Sequence, residues 1–240
     1  MYGDREQSGR VNSIQTLGTL DGPGIRFVLF MQGCCLRCGC CHNPETWEMQ
    51  GGRVYNAGEI VDKALNYREY FGAEGGVTVS GGEPILQPEF VTSLFRLCHE
   101  VGINTCLDTS GCVLNSKVET LLEYTDYIML DIKYTTDKLY KKYVGCSMAE
   151  PLRFLRCLNR KNIPVRIRQV VIPGINDNDE NIKRLADIIK QNSCVVKTEL
   201  LPFKKICEVK YKKMGIDFPF ADIPSASSER VLMLENVLGK

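Results

Sequence analysis

The sequence predicts an α/β fold built on an incomplete barrel of parallel strands, and three observations predict it. Six short apolar runs rich in strand-forming residues recur along the 240 residues, separated by stretches with helical periodicity. Strands that alternate with helices imply a parallel sheet. Each run also ends in a polar stretch that carries glycine, proline, charge or cysteine, and in a β/α barrel such ends lie on the face where active sites are built. Six repeats rather than eight leave the barrel open on one side.

Residues 1–9 are polar and are expected to be loose. Ile25–Met31 is the first strand and runs into a cysteine-rich loop. Ala57–Phe71 reads as one helix, with Ile60, Val61, Ala64 and Leu65 as its apolar stripe. The strand Gly76–Val79 ends at Ser80-Gly81-Gly82-Glu83-Pro84. Gln87–Val101 is a helix: Pro88 suits its first turn, Phe90, Val91, Leu94, Phe95, Cys98 and Val101 face inward, and Gly102 suits its end. Asn104–Leu107 ends at Asp108-Thr109-Ser110-Gly111, and Tyr127–Leu130 at Asp131-Ile132-Lys133. Val165–Ile172 ends at Pro173-Gly174. Asp177–Gln191 is a helix in which Asp177 and Glu180 have capping-box spacing. Val195–Leu201 ends at Pro202-Phe203-Lys204, and Ser225–Leu238 closes the chain. With no internal repeat, low-complexity tract or linker, residues 1–240 read as a single domain.

Composition excludes several classes of function. A hydrophobic content of 44% with 25% charged residues is that of a globular protein. A formal net charge of +1 argues against nucleic-acid binding driven by phosphate neutralisation. The apolar runs are far shorter than a membrane span, and no charged-apolar-small signal opens the chain. Twelve cysteines under these conditions imply a reducing cytoplasm, and thiolates, which oxidise readily, imply surroundings low in oxygen.

The chemistry concentrates in Gly33–Trp47, GCCLRCGCCHNPETW, whose first nine residues hold five of the twelve cysteines. Cys34-x3-Cys38-x2-Cys41 suits an iron–sulfur cluster on three thiolates, with one iron left open as a catalytic metal site requires. Zinc would call for four ligands in two separated pairs, and a disulfide framework is out of place in a chain of this size without a secretory signal. Cys35-x2-Cys38 also fits a ligand pair, so spacing leaves the register open. Elsewhere, Gly81-Gly82 lets backbone approach a ligand or simply turns a strand into a helix. Asp131 and Lys133 alternate across Ile132 and point the same way. Arg168, inside an apolar strand, needs a carboxylate or phosphate partner, in a structural ion pair or on a substrate. The basic tract 204–213 is a solvated face or a dock for an acidic electron donor.

Cys34-x3-Cys38-x2-Cys41 followed by His42-Asn43-Pro44-Glu45 resembles the radical S-adenosylmethionine (SAM) superfamily. Gly18-Thr19-Leu20-Asp21-Gly22-Pro23-Gly24-Ile25-Arg26 narrows the resemblance to activating enzymes of glycyl radical enzymes. The likeness extends from Gly9-Arg10-Val11-Asn12-Ser13 to Leu200-Leu201-Pro202-Phe203. It implies a partial (β/α)6 barrel and a [4Fe-4S] cluster on Cys34, Cys38 and Cys41, with Cys35 and Cys40 not ligating. SAM would be cleaved reductively at the cluster, and a hydrogen atom removed from a backbone glycine of a partner enzyme. Gly82 and Glu83 would bind the methionyl amino group, Asp131 and Lys133 the ribose and carboxylate, and the loop around Cys40 and His42 the adenine. Asp108, Thr109, Met129 and Asp131 match a monovalent-cation site, and Asp21 and Arg168 fall on the substrate side. The implied partners are a glycyl radical enzyme and a flavodoxin or ferredoxin. Pyruvate formate-lyase is favoured because no ferredoxin-like insertion separates the cysteine loop from Gly82-Glu83. One departure stands out: where relatives carry a histidine that contacts SAM, this chain has Lys204, whose ammonium is expected to point away from the sulfonium.

Overall fold

The computed structural model describes residues 2–239. Among them run eight strands: β1 (Ser8–Gly18), β2 (Arg26–Met31), β3 (Arg53–Asn56), β4 (Gly76–Gly81), β5 (Asn104–Thr109), β6 (Tyr127–Asp131), β7 (Val165–Val171) and β8 (Val195–Pro202). All six strands expected from the sequence are present, each within two residues at either end. The additions are β1 and β3. The segment expected to be loose instead holds a short helix, Tyr2–Glu6, and the start of β1.

The chain forms two compact units, one of Met1–Cys35 with Thr46–Met129 and one of Leu36–Glu45 with Leu130–Lys240. In the first, the strand order is β3-β1-β2-β4-β5. Here β2, β4 and β5 are parallel, with Arg26 opposite Gly76 and Gly76 opposite Asn104, while β1 runs antiparallel to both β2 and β3. The order continues as β6-β7-β8, with β7 and β8 parallel in the second unit. Since β3 and β8 are edge strands, the sheet is unclosed. β2 and β4 are buried along almost their whole length, as strands covered on both faces should be, and apolar residues fill 27–31 and recur at Val77 and Val79.

The helices expected from the 3.6-residue pattern are present with local corrections, Val101 being half-buried rather than inward-facing, and four more were not expected: Ser116–Leu122, Asp137–Tyr143, Ala149–Lys161 and Glu208–Met214. The helix expected over Ala57–Phe71 is two, Ala57–Leu65 and Arg68–Phe71, interrupted at Asn66-Tyr67, both weak helix formers. Its start is fixed by a capping box between Asn56 and Glu59. The helix Pro88–Glu100 begins on proline and ends just before Gly102, which takes a φ of +68°. The helix Asp179–Lys190 is capped by Asn178, whose side chain accepts the Asn181 N–H at 3.0 Å. Asp177, expected to be that cap, accepts the Gly174 N–H at 2.8 Å and closes the turn after β7. The last helix starts at Ser228, capped by Ser227, rather than at Ser225.

Candidate functional site

In the first unit, the ends of β2, β4 and β5 are bonded together. The Gly82 N–H donates to Met31 O at 2.9 Å and the Glu83 N–H to Gly33 O at 2.9 Å. The glycines make this approach possible: a Cβ on Gly82 would lie 2.3 Å from Gly33 O, and one on Gly81, at φ +102°, 2.4 Å from Met31 N. The Gly33 N–H in turn donates to Thr46 O at 2.8 Å, which closes the cysteine loop at its base.

This backbone arrangement places Glu83 with 1% exposure. Its carboxylate accepts from Thr109 Oγ1 at 2.5 Å, from the Ser110 N–H at 3.0 Å and from Ser110 Oγ. All three donors are neutral, and no ion pair to Glu83 occurs among the described residues. Burial therefore raises its pKa above the ordinary value, against the lowering effect of the Ser110 and Thr109 bonds. Asp108 accepts from Ser80 Oγ at 2.8 Å, and Met129 is fully buried within β6. The loop carrying Asp21 is anchored by a residue whose role the sequence did not suggest. Arg26, with 0% exposure, donates to Thr78 Oγ1 at 2.9 Å, Asn104 Oδ1 at 2.8 Å, Glu74 O at 3.0 Å and Val77 O at 2.7 Å. Thr78 Oγ1 passes the link on to Asp21 O at 2.7 Å. Cys35 Sγ lies 3.8 Å from Cys112 Sγ, which gives that thiol a neighbour other than a cluster.

In the second unit, Asp131 at the end of β6 takes a cation on each oxygen. Arg168 Nε and Nη2 reach Oδ1 at 2.9 Å, and Lys133 Nζ reaches Oδ2 at 3.0 Å. The sequence required a carboxylate or phosphate partner for Arg168, and Asp131 supplies a carboxylate. Burial pushes the Asp131 carboxyl up, but Arg168 and Lys133 together pull it further down, to about 2. Burial likewise pulls the Lys133 ammonium down, and Asp131 with the sulfurs of Cys38 and Cys40 carries it well above its usual value.

The cysteine segment of this unit is held by main chain. The Arg37 N–H donates to Val144 O at 3.1 Å, the Gly39 N–H to Tyr143 O at 2.9 Å, and the Cys41 N–H turns back to Cys38 O at 3.0 Å. Tyr211 OH donates to Cys41 O at 3.2 Å. Burial pushes the Cys40 thiol up to about 11 and depresses His42, so both are neutral near pH 7. His42 Nε2 lies 3.2 Å from the main-chain oxygen of Lys204, whose side chain is exposed.

Among the described residues, no group of three or more His, Cys, Asp or Glu side chains is arranged around a single metal ion. Three thiolates of a four-iron cluster bind three different irons and need not converge on one point. The donor set fits such a cluster: all twelve cysteines are thiols, and Cys38 is buried while Cys34 and Cys41 are half-buried. An ammonium, that of Lys133, lies within electrostatic range of Cys38. Besides Arg26, two features escaped the sequence reading. Ser110, one residue beyond Asp108-Thr109, supplies two donors to Glu83, and a second hydroxyl at that strand end was the available signal. The other is Tyr134, which reads as an ordinary core residue.

An unclosed α/β sheet with a cysteine loop after one strand and a buried glutamate after the next defines a class. The chain belongs to the Radical SAM superfamily, whose family model matches residues 28–186. It is 43% identical over 231 residues to the pyruvate formate-lyase-activating enzyme of Clostridium pasteurianum, covering 96% of this chain and 97% of that one. It is 40% identical over 233 residues to the pyruvate formate-lyase 1-activating enzyme of Escherichia coli K12, covering 96% and 95%. Among solved structures, a domain of a pyruvate-formate lyase-activating enzyme from Bacteroides vulgatus superposes with a TM-score of 0.57 at 23% identity, covering 69% of this chain and 93% of that one. A radical SAM methyltransferase from Sphaerobacter thermophilus superposes with a TM-score of 0.64 at 22% identity, covering 89% and 63%. These superpositions establish the partial barrel. As a radical SAM protein the chain works with a [4Fe-4S] cluster and SAM. No helix among the described residues is long and apolar enough to cross a membrane.

Proposed function

We propose that this chain installs a glycyl radical on pyruvate formate-lyase, with a flavodoxin or ferredoxin as electron donor, in the cytoplasm. The observation that carries the reading is near-full-length identity of 40–43% to enzymes named for that activation. When bound, the cluster and SAM supply reductive cleavage of the sulfonium to a carbon radical that takes a hydrogen atom from a backbone glycine. The protein's part is to bind, orient and exclude water. Cys34, Cys38 and Cys41, three thiolates within eight residues of chain, are the proposed cluster ligands. Glu83, ringed by neutral donors, is proposed to receive the methionyl ammonium, because an incoming cation restores what burial removes from its ionised form. Lys133 is proposed to hold the carboxylate and Asp131 the ribose. The positions of Cys40 and His42, uncharged, suit an adenine, and Asp108, Thr109 and Met129 are proposed to take part in holding a monovalent cation. Asp21, fixed through Thr78 and Arg26, is proposed to face the glycine-bearing segment, with Arg168 acting through Asp131. The test is anaerobic incubation of reconstituted protein with reductant, SAM and pyruvate formate-lyase, followed by electron paramagnetic resonance. A glycyl radical doublet in the partner is the expected result. SAM cleavage with no radical in the partner would overturn the assignment of partner.

A further inference from the structure

Three tyrosines are almost completely buried in the second unit: Tyr134, Tyr140 and Tyr211. Two of them use their hydroxyls within the protein. Tyr140 OH accepts the Lys133 N–H at 3.0 Å, and Tyr211 OH donates to Cys41 O at 3.2 Å. The Tyr134 hydroxyl is buried, with the side chain 1% exposed, and has no hydrogen-bond partner among the described residues. A buried hydroxyl left in that state is costly, so its position calls for an acceptor that the polypeptide does not provide.

The packing around the ring shows where that acceptor would be. Tyr134 packs 5.6 Å from the Tyr143 ring, and Tyr143 packs edge-on to Phe220 at 5.4 Å. The same Tyr143 receives the Gly39 N–H on its carbonyl at 2.9 Å. Phe220 lies so close to Gly39 that a Cβ there would come within 2.4 Å of its ring. Tyr134 therefore belongs to an aromatic stack that carries the segment between Cys38 and Cys41. The sulfurs of Cys40 and Cys38 are near enough to act on its phenol, and burial with these sulfurs holds that phenol protonated, with an O–H to donate.

We propose that the Tyr134 hydroxyl donates a hydrogen bond to a sulfur of the iron–sulfur cluster on the Cys38 side and thereby sets the cluster's reduction potential. The inference rests on the reading of Cys34, Cys38 and Cys41 as cluster ligands. A hydrogen bond to sulfur stabilises the extra negative charge of the reduced cluster, so it raises the potential. Tyr134 is in this sense a positioning and tuning residue that takes no part in bond breaking.

The test is Tyr134→Phe, which keeps the ring and its packing. Iron and sulfide content are measured first, and the cluster's potential is then titrated in the absence of SAM by electron paramagnetic resonance. The expected result is a full complement of iron and a reduction equilibrium displaced threefold to tenfold toward the oxidised cluster, tenfold being about 59 mV for one electron. An unmoved potential at full iron content would overturn the inference and leave the cluster assignment standing. So would a loss of SAM affinity with the potential unmoved, which would give the hydroxyl to SAM instead. A parent protein that takes up no iron would overturn the cluster assignment and the inference with it.

Discussion

Glu83→Gln separates what the fold asks of residue 83 from what a ligand asks. In the folded protein the carboxyl has a pKa above its ordinary 4.5, because burial disfavours the ionised form more than Thr109 and Ser110 restore it. A folded-state pKa above the unfolded value means that the group favours folding most below about pH 4.5, and that this contribution is lost as pH rises through the folded pKa. Above that pH the glutamate thus weakens the ligand-free fold relative to a neutral group of the same shape. Glutamine removes the charge and keeps the shape: its carbonyl retains the Ser110 N–H, and the Thr109 hydroxyl can rotate to accept from the amide. The unfolding midpoint of the metal-free protein should stay level or rise at pH 7, and the difference from the parent should vanish near pH 4. SAM binding should move the opposite way. Losing a hydrogen bond between charged groups costs about 1.5–3 kcal/mol, which is roughly a 10- to 150-fold rise in dissociation constant. The assays are urea unfolding at the two pH values and equilibrium SAM binding to the reconstituted protein. Unchanged SAM affinity would refute the assignment of Glu83 to the ammonium. A destabilised ligand-free protein would refute the argument from burial.

Asp131→Asn leaves Arg168 and Lys133 facing each other without their anion, and should cost about 3 kcal/mol in urea unfolding. The Asp131 pKa is lowered from 3.8 to about 2, so its contribution is present above pH 4 and is lost as pH falls toward 2. Acid unfolding of the Asn variant should accordingly be flatter across that window, and equal slopes would discount the pair. Cys34→Ala, Cys38→Ala and Cys41→Ala should each abolish cluster uptake by iron analysis, whereas Cys35→Ala and Cys40→Ala should keep it. Loss in Cys35→Ala with retention in Cys34→Ala would show the other register. Lys204→Ala should change the SAM dissociation constant by less than roughly tenfold, about 1.4 kcal/mol, because the structure employs the carbonyl of residue 204, and a larger loss would show the ammonium at work.

How much of this was legible in the sequence follows from burial. β2 and β4 are covered on both faces, so apolar side chains fill 27–31 and recur at Val77 and Val79, and the runs announce themselves. β1, SGRVNSIQTLG, has a largely exposed second half and pairs antiparallel, so hydroxyls, amides and an arginine fill it and no strand signal survives. β3 is only four residues long and carries none either. Around the site, side-chain chemistry was legible where it ends a strand, as at Glu83, Asp131 and Lys133. Main-chain chemistry was not: nothing in Pro202-Phe203-Lys204 says that a carbonyl meets His42. Arg168 illustrates the intermediate case, since its strand demanded an anionic partner while the identity of Asp131 needed the register of two strands. Ile132 N–H donates to Arg168 O at 3.0 Å, which fixes that register.

The two acidic residues at the strand ends show why the polar groups are distributed as they are. Glu83 has only neutral donors among the described residues, while Asp131 has both oxygens occupied by cations. Cys40 and His42 contribute no charge, because burial keeps the thiol protonated and the imidazole neutral. Lys204 adds no charge to the buried groups of this second unit, because its side chain is exposed and only its carbonyl oxygen meets His42, at 3.2 Å from Nε2. Lys204→Glu, which adds an anion at the exposed position, should therefore leave SAM affinity within a few-fold of the parent at 0.15 M salt, where exposed charges interact over only about 8 Å.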